Sequence, residues 1–114
     1  VRVYTCTDDG SCGFRGFAHE RLRDMGGSYD MAAVCGPEPM MYHVKGVLDE
    51  MGVPAQFSLE RYMKCAVGIC GQCCLDDTGW RVCAEGPVFW GHELSMLREF
   101  GSYRRDSAGR RIPL

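Results

Sequence analysis

Apolar and polar residues in the first half of the chain form five segments separated by turns rich in glycine or proline. Short apolar runs at residues 1–7, 29–36 and 55–60 predict strands. Between them, apolar residues recur at helical spacing over residues 14–25 and 37–51, which predicts two helices, the second beginning near Pro37 or Pro39. Strand, helix, strand, helix, strand with short links predicts a parallel sheet with right-handed crossovers.

The second half of the chain has shorter elements. The turn-rich sequence LDDTG between Cys74 and Trp80 predicts a hairpin that brings Cys83 back towards the preceding loop. The sequence of residues 92–100 predicts a short helix. The tail that follows is basic, with four arginines: Arg104, Arg105, Arg110 and Arg111. These side chains form either a solvated surface or a docking surface for a partner, and the sequence favours neither alternative.

Four cysteines, Cys65, Cys70, Cys73 and Cys83, have the spacing C-x4-C-x2-C-x9-C. C-x4-C-x2-C with a distant fourth cysteine is the plant-type spacing of a 2Fe-2S cluster, whereas zinc sites usually pair cysteines as C-x2-C. Glycines between the first three cysteines permit close approach of backbone N–H groups to the sulfurs. We predict that these cysteines bind a 2Fe-2S cluster. The alternative is a structural zinc ion in an interaction module.

Cys74 directly follows the third predicted ligand, so the sequence offers two neighbouring thiols for one position. Only Cys73 keeps the C-x2-C interval from Cys70. Successive side chains of an extended segment point to opposite faces. We therefore expect Cys74 to face away from the cluster, into the packing of the small domain.

The composition excludes several classes of protein. A chain of 114 residues can bury a substantial core without disulfides. A formal net charge of −2 argues against a nucleic-acid binder. The sequence has no signal peptide and no long apolar run, which predicts a cytoplasmic protein that does not enter the membrane. Because the chain starts at Val1 with a predicted strand and lacks G-x-G-x-x-G, we expect the other half of a nucleotide-binding domain upstream.

Three sequences extend this interpretation: CGPEPMM at residues 35–41, SLERYMKC at residues 58–65 and VCAEGPVF at residues 82–89. With them, the chain resembles the iron-sulfur electron transfer subunits of dihydroorotate dehydrogenase, in the ferredoxin reductase superfamily, over essentially its whole length. The resemblance implies an α/β fold. Residues 1–60 would be the C-terminal half of a parallel-sheet pyridine-nucleotide-binding domain, and residues 61–114 a small β-rich 2Fe-2S cluster domain with the basic tail.

The resemblance also implies a function. Such subunits are oxidoreductase components that relay electrons from a catalytic subunit containing FMN, through a 2Fe-2S cluster, to FAD and NAD in pyrimidine biosynthesis. The FAD-binding barrel of the family is missing from this chain. We therefore expect the isolated chain to bind no FAD and to be inactive. The alternative partner is a related hydrogenase or bifurcating oxidoreductase, for which the chain would be the electron-input subunit.

Site residues follow from the same resemblance. The cluster would be held by Cys65, Cys70, Cys73 and Cys83, and no residue would act as an acid or base on dihydroorotate. Cys35, Gly36 and Pro37 would shape the pocket for nicotinamide and flavin.

Asp8, followed by Asp9 as second choice, lies where NADP-using relatives hold the 2′-phosphate. A carboxylate there accepts a hydrogen bond from ribose and repels a phosphate, which predicts a preference for NAD. The alternative is that both aspartates only form a turn.

Overall fold

A mixed three-stranded sheet and the helices beside it position the rest of the chain. The structure is a computed structural model that describes residues 1–114. Its elements, in chain order, are β1 (Cys6–Thr7), β2 (Phe14–Arg15), α1 (Ala18–Met25), β3 (Ala32–Cys35), α2 (Glu38–Met51), β4 (Ala55–Ser58), β5 (Val88–Trp90), α3 (Gly91–Leu94), β6 (Tyr103–Arg105) and β7 (Arg111–Pro113).

The sheet has the order β3-β4-β5. β3 and β4 are parallel, with Ala32 opposite Ala55, and α2 forms the crossover between them. This confirms the predicted strand, helix, strand unit. β5 adds to the other side of β4 in the antiparallel direction, with Phe57 opposite Phe89. The cysteine-rich segment therefore lies between two neighbouring strands of one sheet.

The second predicted helix is confirmed, and its sequence explains both ends. α2 begins after Pro37, and Pro39 occupies the first turn, where a missing N–H costs no helical hydrogen bond. Gly52 ends it in the left-handed conformation, with φ of 70°. Three of its apolar side chains, Met41, Val44 and Leu48, are buried in the core.

The predicted strand at residues 1–7 is wrong for most of its length. Only Cys6–Thr7 is a strand, and it pairs with Phe14–Arg15. The side chains of Val1, Val3 and Tyr4 are exposed, so burial does not stabilise a longer strand here.

Both remaining predicted helices are shorter than expected. The first starts only at Ala18. The Glu20 carboxylate accepts a hydrogen bond from the Phe17 N–H and thereby caps the N-terminus of the helix. The last, predicted over residues 92–100, ends at Leu94. The backbone N–H of Arg98 donates to the Asp77 carboxylate instead of to a helical carbonyl.

One hydrophobic core joins the two parts of the chain on either side of residue 60. Phe57 on β4 is fully buried, and so are Leu75 and Val82 from the cysteine-rich segment. Leu94 and Phe100 belong to the same cluster. The division into residues 1–60 and 61–114 stays a prediction about domain origin, and the two parts pack as neighbours around shared apolar side chains. No helix is both long enough and apolar enough to cross a membrane.

A buried ion network lies at the junction of these parts. The Arg61 guanidinium contacts the carboxylates of Glu38, at 2.5 Å, and Glu99, at 3.2 Å, and the three side chains are 4%, 8% and 3% exposed. Glu38 also accepts the N–H of Gly101, and Glu99 accepts the N–H of Asp76. The network therefore connects the start of α2, the approach to the cysteine loop, the hairpin and the C-terminal segment.

We predict that Arg61→Met in the full-length parent protein destabilises the unit containing this network by about 3–5 kcal/mol, because two carboxylates are left buried without their cation. Urea unfolding followed by tryptophan fluorescence measures this loss. The matched control is Arg23→Met, which removes an exposed pair with Glu50 and is expected to cost less than about 1 kcal/mol. Equal losses in the two variants would contradict the prediction.

Candidate metal centre

The Cys65 sulfur is surrounded by backbone donors. It accepts hydrogen bonds from the N–H groups of Val67 at 3.5 Å, Ile69 at 3.4 Å and Cys70 at 3.4 Å. These donors, that of Cys70 above all, lower the pKa of the Cys65 thiol to about 6. A loop that directs N–H groups at one sulfur stabilises the thiolate, which is the form that binds metal.

Positive φ angles produce this curvature. Gly68 has φ of 77° and Gly71 has φ of 72°. Ala66, which directly follows Cys65, also has a positive φ, of 58°. A Cβ atom on Gly68 would lie 3.0 Å from the Arg81 guanidinium and 3.1 Å from the Ala84 Cβ. The loop therefore requires glycine at this position for both conformation and space.

The predicted hairpin is confirmed and brings Cys83 next to Cys73. Cys74 forms an antiparallel bridge with Arg81. The Cys83 N–H donates to the Cys73 sulfur at 3.4 Å. Burial, together with the neighbouring Cys73 thiol, raises the pKa of the Cys83 thiol.

The four thiols form two pairs. The Cys70 N–H donates to the Cys65 sulfur, and the Cys83 N–H donates to the Cys73 sulfur, each at 3.4 Å. All eight cysteines are free thiols. No group of three or more His, Cys, Asp or Glu side chains is placed to hold a single metal ion. Two cysteine ligands on each of two irons is the arrangement of a four-cysteine 2Fe-2S site, so the donor set and its N–H shell fit that group.

The expected burial of Cys74 in the packing is wrong, while its orientation away from the cluster stays a prediction. Cys73 is the buried thiol, at 4% exposure, and belongs to the hydrophobic core, whereas Cys74 is only half-buried. The strict alternation of faces does not apply, because Cys74 belongs to a single bridge and its N–H closes a turn onto the Gly71 carbonyl. Burial and the neighbouring Cys73 thiol raise the pKa of Cys74.

The residues predicted for the nicotinamide pocket lie at the end of β3. Gly36 and Pro37 connect β3 to α2 and line a cavity of about 540 Å³ that also contacts Glu60 and Arg104. A Cβ on Gly36 would clash with the Met40 side chain. Cys35 instead lines a separate apolar groove of about 390 Å³. The structure therefore brings Gly36 and Pro37 to one cavity and leaves Cys35 outside it.

The two predicted ribose-binding aspartates differ in their contacts. The Asp9 carboxylate accepts the Ser11 N–H at 2.9 Å, which lowers the pKa of Asp9. Thr7 holds the same loop through hydrogen bonds to the backbone of Cys12. Asp8 is exposed, and none of the side-chain hydrogen bonds of the structure involves its carboxylate. Asp9 thus forms the turn, while Asp8 keeps its carboxylate available.

Most of the basic tail is neutralised within the chain. Arg105 and Arg111 contact Asp76, and Arg110 contacts Asp106. Arg104 forms none of the salt bridges and lines the cavity beside Gly36. The two pairs with Asp76 join residues that are distant in the sequence, so no local pattern indicated them, whereas Arg110 and Asp106 are only four residues apart.

Sequence reasoning also missed Arg81. Its Nη1 donates to the Gly68 carbonyl at 2.5 Å, and its Nε donates to the Glu85 carboxylate at 3.0 Å. Arg81 in turn lowers the pKa of Glu85 to about 2. The only local signal was the i, i+4 spacing of Arg81 and Glu85, which is common on protein surfaces.

Residues 60–95 match the family model described as the iron-sulfur cluster binding domain of dihydroorotate dehydrogenase B. This segment contains both thiol pairs and the hairpin between them. Fold and site together therefore support an iron-sulfur cluster binding segment at residues 60–95.

The chain is also similar, over nearly its whole length, to proteins named probable dihydroorotate dehydrogenase B (NAD(+)), electron transfer subunit. The one from Methanothermobacter thermautotrophicus is 76% identical over 113 residues, which cover 99% of this chain and 42% of that protein. The one from Methanocaldococcus jannaschii is 51% identical over 113 residues, covering 97% and 44%. The chain thus spans less than half the length of these curated relatives. The resemblance to this electron transfer subunit is confirmed.

A solved structure supports the fold. One chain of an NADH-dependent reduced ferredoxin-NADP oxidoreductase, described for its insights into flavin-based electron bifurcation, has a TM-score of 0.67 and 30% identity. The match covers 86% of this chain and 37% of that chain. It confirms the predicted α/β class, in which half of a nucleotide-binding domain is followed by a small cluster domain.

We predict that Ser at any of the four paired cysteines, in the full-length parent protein, abolishes or severely perturbs the 2Fe-2S spectrum, because a neutral hydroxyl replaces a thiolate poorly on iron. Cys74→Ser is expected to leave the spectrum nearly intact. Electron paramagnetic resonance of the dithionite-reduced variants measures this.

The matched control is Cys12→Ser, which changes an exposed thiol outside the matched segment and should preserve the signal. Loss of the signal in Cys74→Ser, with retention in Cys73→Ser, would show that Cys74 is the ligand.

Proposed function

We propose that the protein containing this chain is the electron transfer subunit of dihydroorotate dehydrogenase. It relays electrons from a catalytic subunit containing FMN, through a 2Fe-2S cluster, to FAD and NAD in pyrimidine biosynthesis. Residues 61–114 supply the cluster site, and residues 1–60 supply half of the pyridine-nucleotide domain. The observation that carries this proposal is the set of backbone N–H groups directed at the Cys65 sulfur, within a segment that matches the cluster-binding family.

The chain's own residues would hold the cluster in two pairs, Cys65 with Cys70 and Cys73 with Cys83. A bound 2Fe-2S cluster would supply one-electron uptake and release. The N–H groups of the loop offset part of the negative charge of four thiolates and two sulfides. The turn after Cys70 adds a further donor, since the Gln72 N–H donates to the Cys70 sulfur at 3.4 Å.

The two cysteine pairs differ in exposure, so one edge of the site is more accessible to a partner protein than the other. Cys73 is buried in the core, whereas Cys70 is exposed. Val67 and Ile69, beside the first pair, are 68% and 83% exposed. Electron transfer between proteins requires a short separation, so the Cys65 and Cys70 edge is the side available to the catalytic subunit.

The nucleotide side is proposed at the same edge of the sheet from which the cysteine segment leaves β4 and returns into β5, because Cys35 lies opposite Ser58 and Ser58 lies opposite Val88. Gly36 and Pro37, with Arg104 lining the same cavity, would shape the region for nicotinamide and flavin, while Cys35 at the end of β3 lines the neighbouring apolar groove. Asp8 would bind the ribose of NAD.

Anaerobic electron delivery tests the proposed function. We predict that dihydroorotate produces the reduced-cluster signal in electron paramagnetic resonance when the full-length parent protein is complexed with its catalytic subunit. Dihydroorotate should produce no signal without that subunit, because no residue of this chain oxidises it. NADH should reduce the cluster in both cases, since that path needs only the FAD and NAD sites of the parent.

Cys70→Ser is the matched variant and should lose the signal with both reductants, whereas Cys12→Ser should retain it. A wild-type complex that is reduced by NADH but not by dihydroorotate would contradict the proposed partner. That result would favour the electron-input subunit of a hydrogenase or bifurcating enzyme, a reading that the solved structural relative also supports.

We further predict that Asp8→Ala in the intact complex raises the catalytic efficiency with NADPH relative to NADH by about tenfold or more, because a carboxylate that repels the 2′-phosphate is removed. Steady-state rates with the two nucleotides measure the ratio. Asp9→Ala is the control for loss of the turn. It should change the catalytic efficiency with NADH and with NADPH by the same factor. Comparable efficiency with NADPH and NADH in the wild type would contradict the role of Asp8.

A further inference from the structure

Arg81 contacts the backbone of the cysteine loop at Gly68. It lies on the returning arm of the hairpin, in the bridge with Cys74. Its Nη1 donates to the Gly68 carbonyl oxygen at 2.5 Å. The Arg81 side chain is 39% exposed, so it is a partly solvated group at the edge of the loop.

The contact with Gly68 affects the cluster site because the same peptide unit also carries an N–H group that donates to a cysteine sulfur. Gly68 supplies the carbonyl and Ile69 supplies the N–H of one peptide bond. A trans peptide is planar, and its C=O and N–H point in opposite directions. The Ile69 N–H donates to the Cys65 sulfur at 3.4 Å. A guanidinium that holds the carbonyl therefore aims the N–H at the sulfur and polarises it.

Glu85 fixes Arg81 in this position. The Glu85 carboxylate accepts the Arg81 backbone N–H at 2.6 Å and the Nε at 3.0 Å, and it also contacts Nη2. Nη1 remains directed at Gly68. A planar guanidinium can serve both partners at once, whereas a lysine ammonium offers only a compact point charge.

We propose that Arg81 is a positioning residue that raises the reduction potential of the cluster by holding the Gly68–Ile69 peptide towards Cys65. This proposal rests on the proposed cluster ligands. Reduction adds negative charge, so a polarised N–H···S hydrogen bond and a nearby guanidinium both favour the reduced form. Arg81 thus acts through the loop and is not a ligand.

The test uses the full-length parent protein and a redox titration followed by electron paramagnetic resonance, with iron and acid-labile sulfide measured on each sample. Arg81→Met removes the charge and the donor at similar length. It is expected to retain iron and sulfide and to shift the midpoint potential to more negative values. A tenfold fall in the ratio of reduced to oxidised cluster at fixed ambient potential, about 59 mV for one electron, is the expected size.

Arg81→Lys keeps the charge and should shift the potential in the same direction by less. Arg23→Met removes a guanidinium on α1, paired with Glu50, and should leave the potential unchanged. A second readout is the coupling of exchangeable protons to the reduced cluster, compared in H₂O and D₂O, which should weaken in Arg81→Met.

The outcomes separate this proposal from the proposed function. A wild type without iron and sulfide would contradict the cluster itself. An intact cluster with wild-type potential and proton coupling in Arg81→Met would overturn the role of Arg81 and leave the cluster standing. Loss of the cluster in both Arg81→Met and Arg81→Lys would also overturn it, because Arg81 would then support folding of the loop.

Discussion

The arrangement of the whole chain depends on the buried guanidinium of Arg61. Its two carboxylate partners come from distant parts of the sequence, Glu38 at the start of α2 and Glu99 near the C-terminal segment. A buried ion network adds little net stability compared with apolar packing, but leaving any of its charges unpaired is costly. Alternative placements of the cysteine-rich segment on the sheet would leave such a charge, so the network favours one register of the two parts.

The Arg61 network also affects the position of the candidate site. Arg61 lies at the approach to the cysteine loop, and Glu38 immediately follows Gly36 and Pro37 at the cavity next to β3. One guanidinium therefore ties the residue that follows the proposed nucleotide cavity to the segment that leads into the cysteine loop. The loop itself is then shaped locally, by N–H groups directed at the Cys65 sulfur and by Arg81, which holds the Gly68 carbonyl.

Local patterns in the sequence predicted the parts of this structure that depend on neighbouring residues. Helical spacing and terminal residues predicted α2, the alternation of elements predicted the parallel pair β3 and β4, and the turn-rich sequence after Cys74 predicted the hairpin. Pairings between distant residues were not predictable in this way. β5 joins β4 across the whole cysteine segment, and the carboxylate partners of Arg61 and Arg105 and the Gly68 contact of Arg81 lie elsewhere in the sequence. The expected burial of Cys74 was wrong because a single bridge does not impose the alternation of a strand.

Iron, sulfide and zinc analysis of the anaerobically purified full-length parent protein, combined with Mössbauer spectroscopy, tests the central claim most directly. The account predicts about two iron and about two acid-labile sulfide per chain, with tetrahedral sulfur-coordinated ferric ions that become one ferric and one ferrous site on one-electron reduction. About one zinc per chain without sulfide would contradict it, because the four thiols would then hold a structural ion that carries no electron.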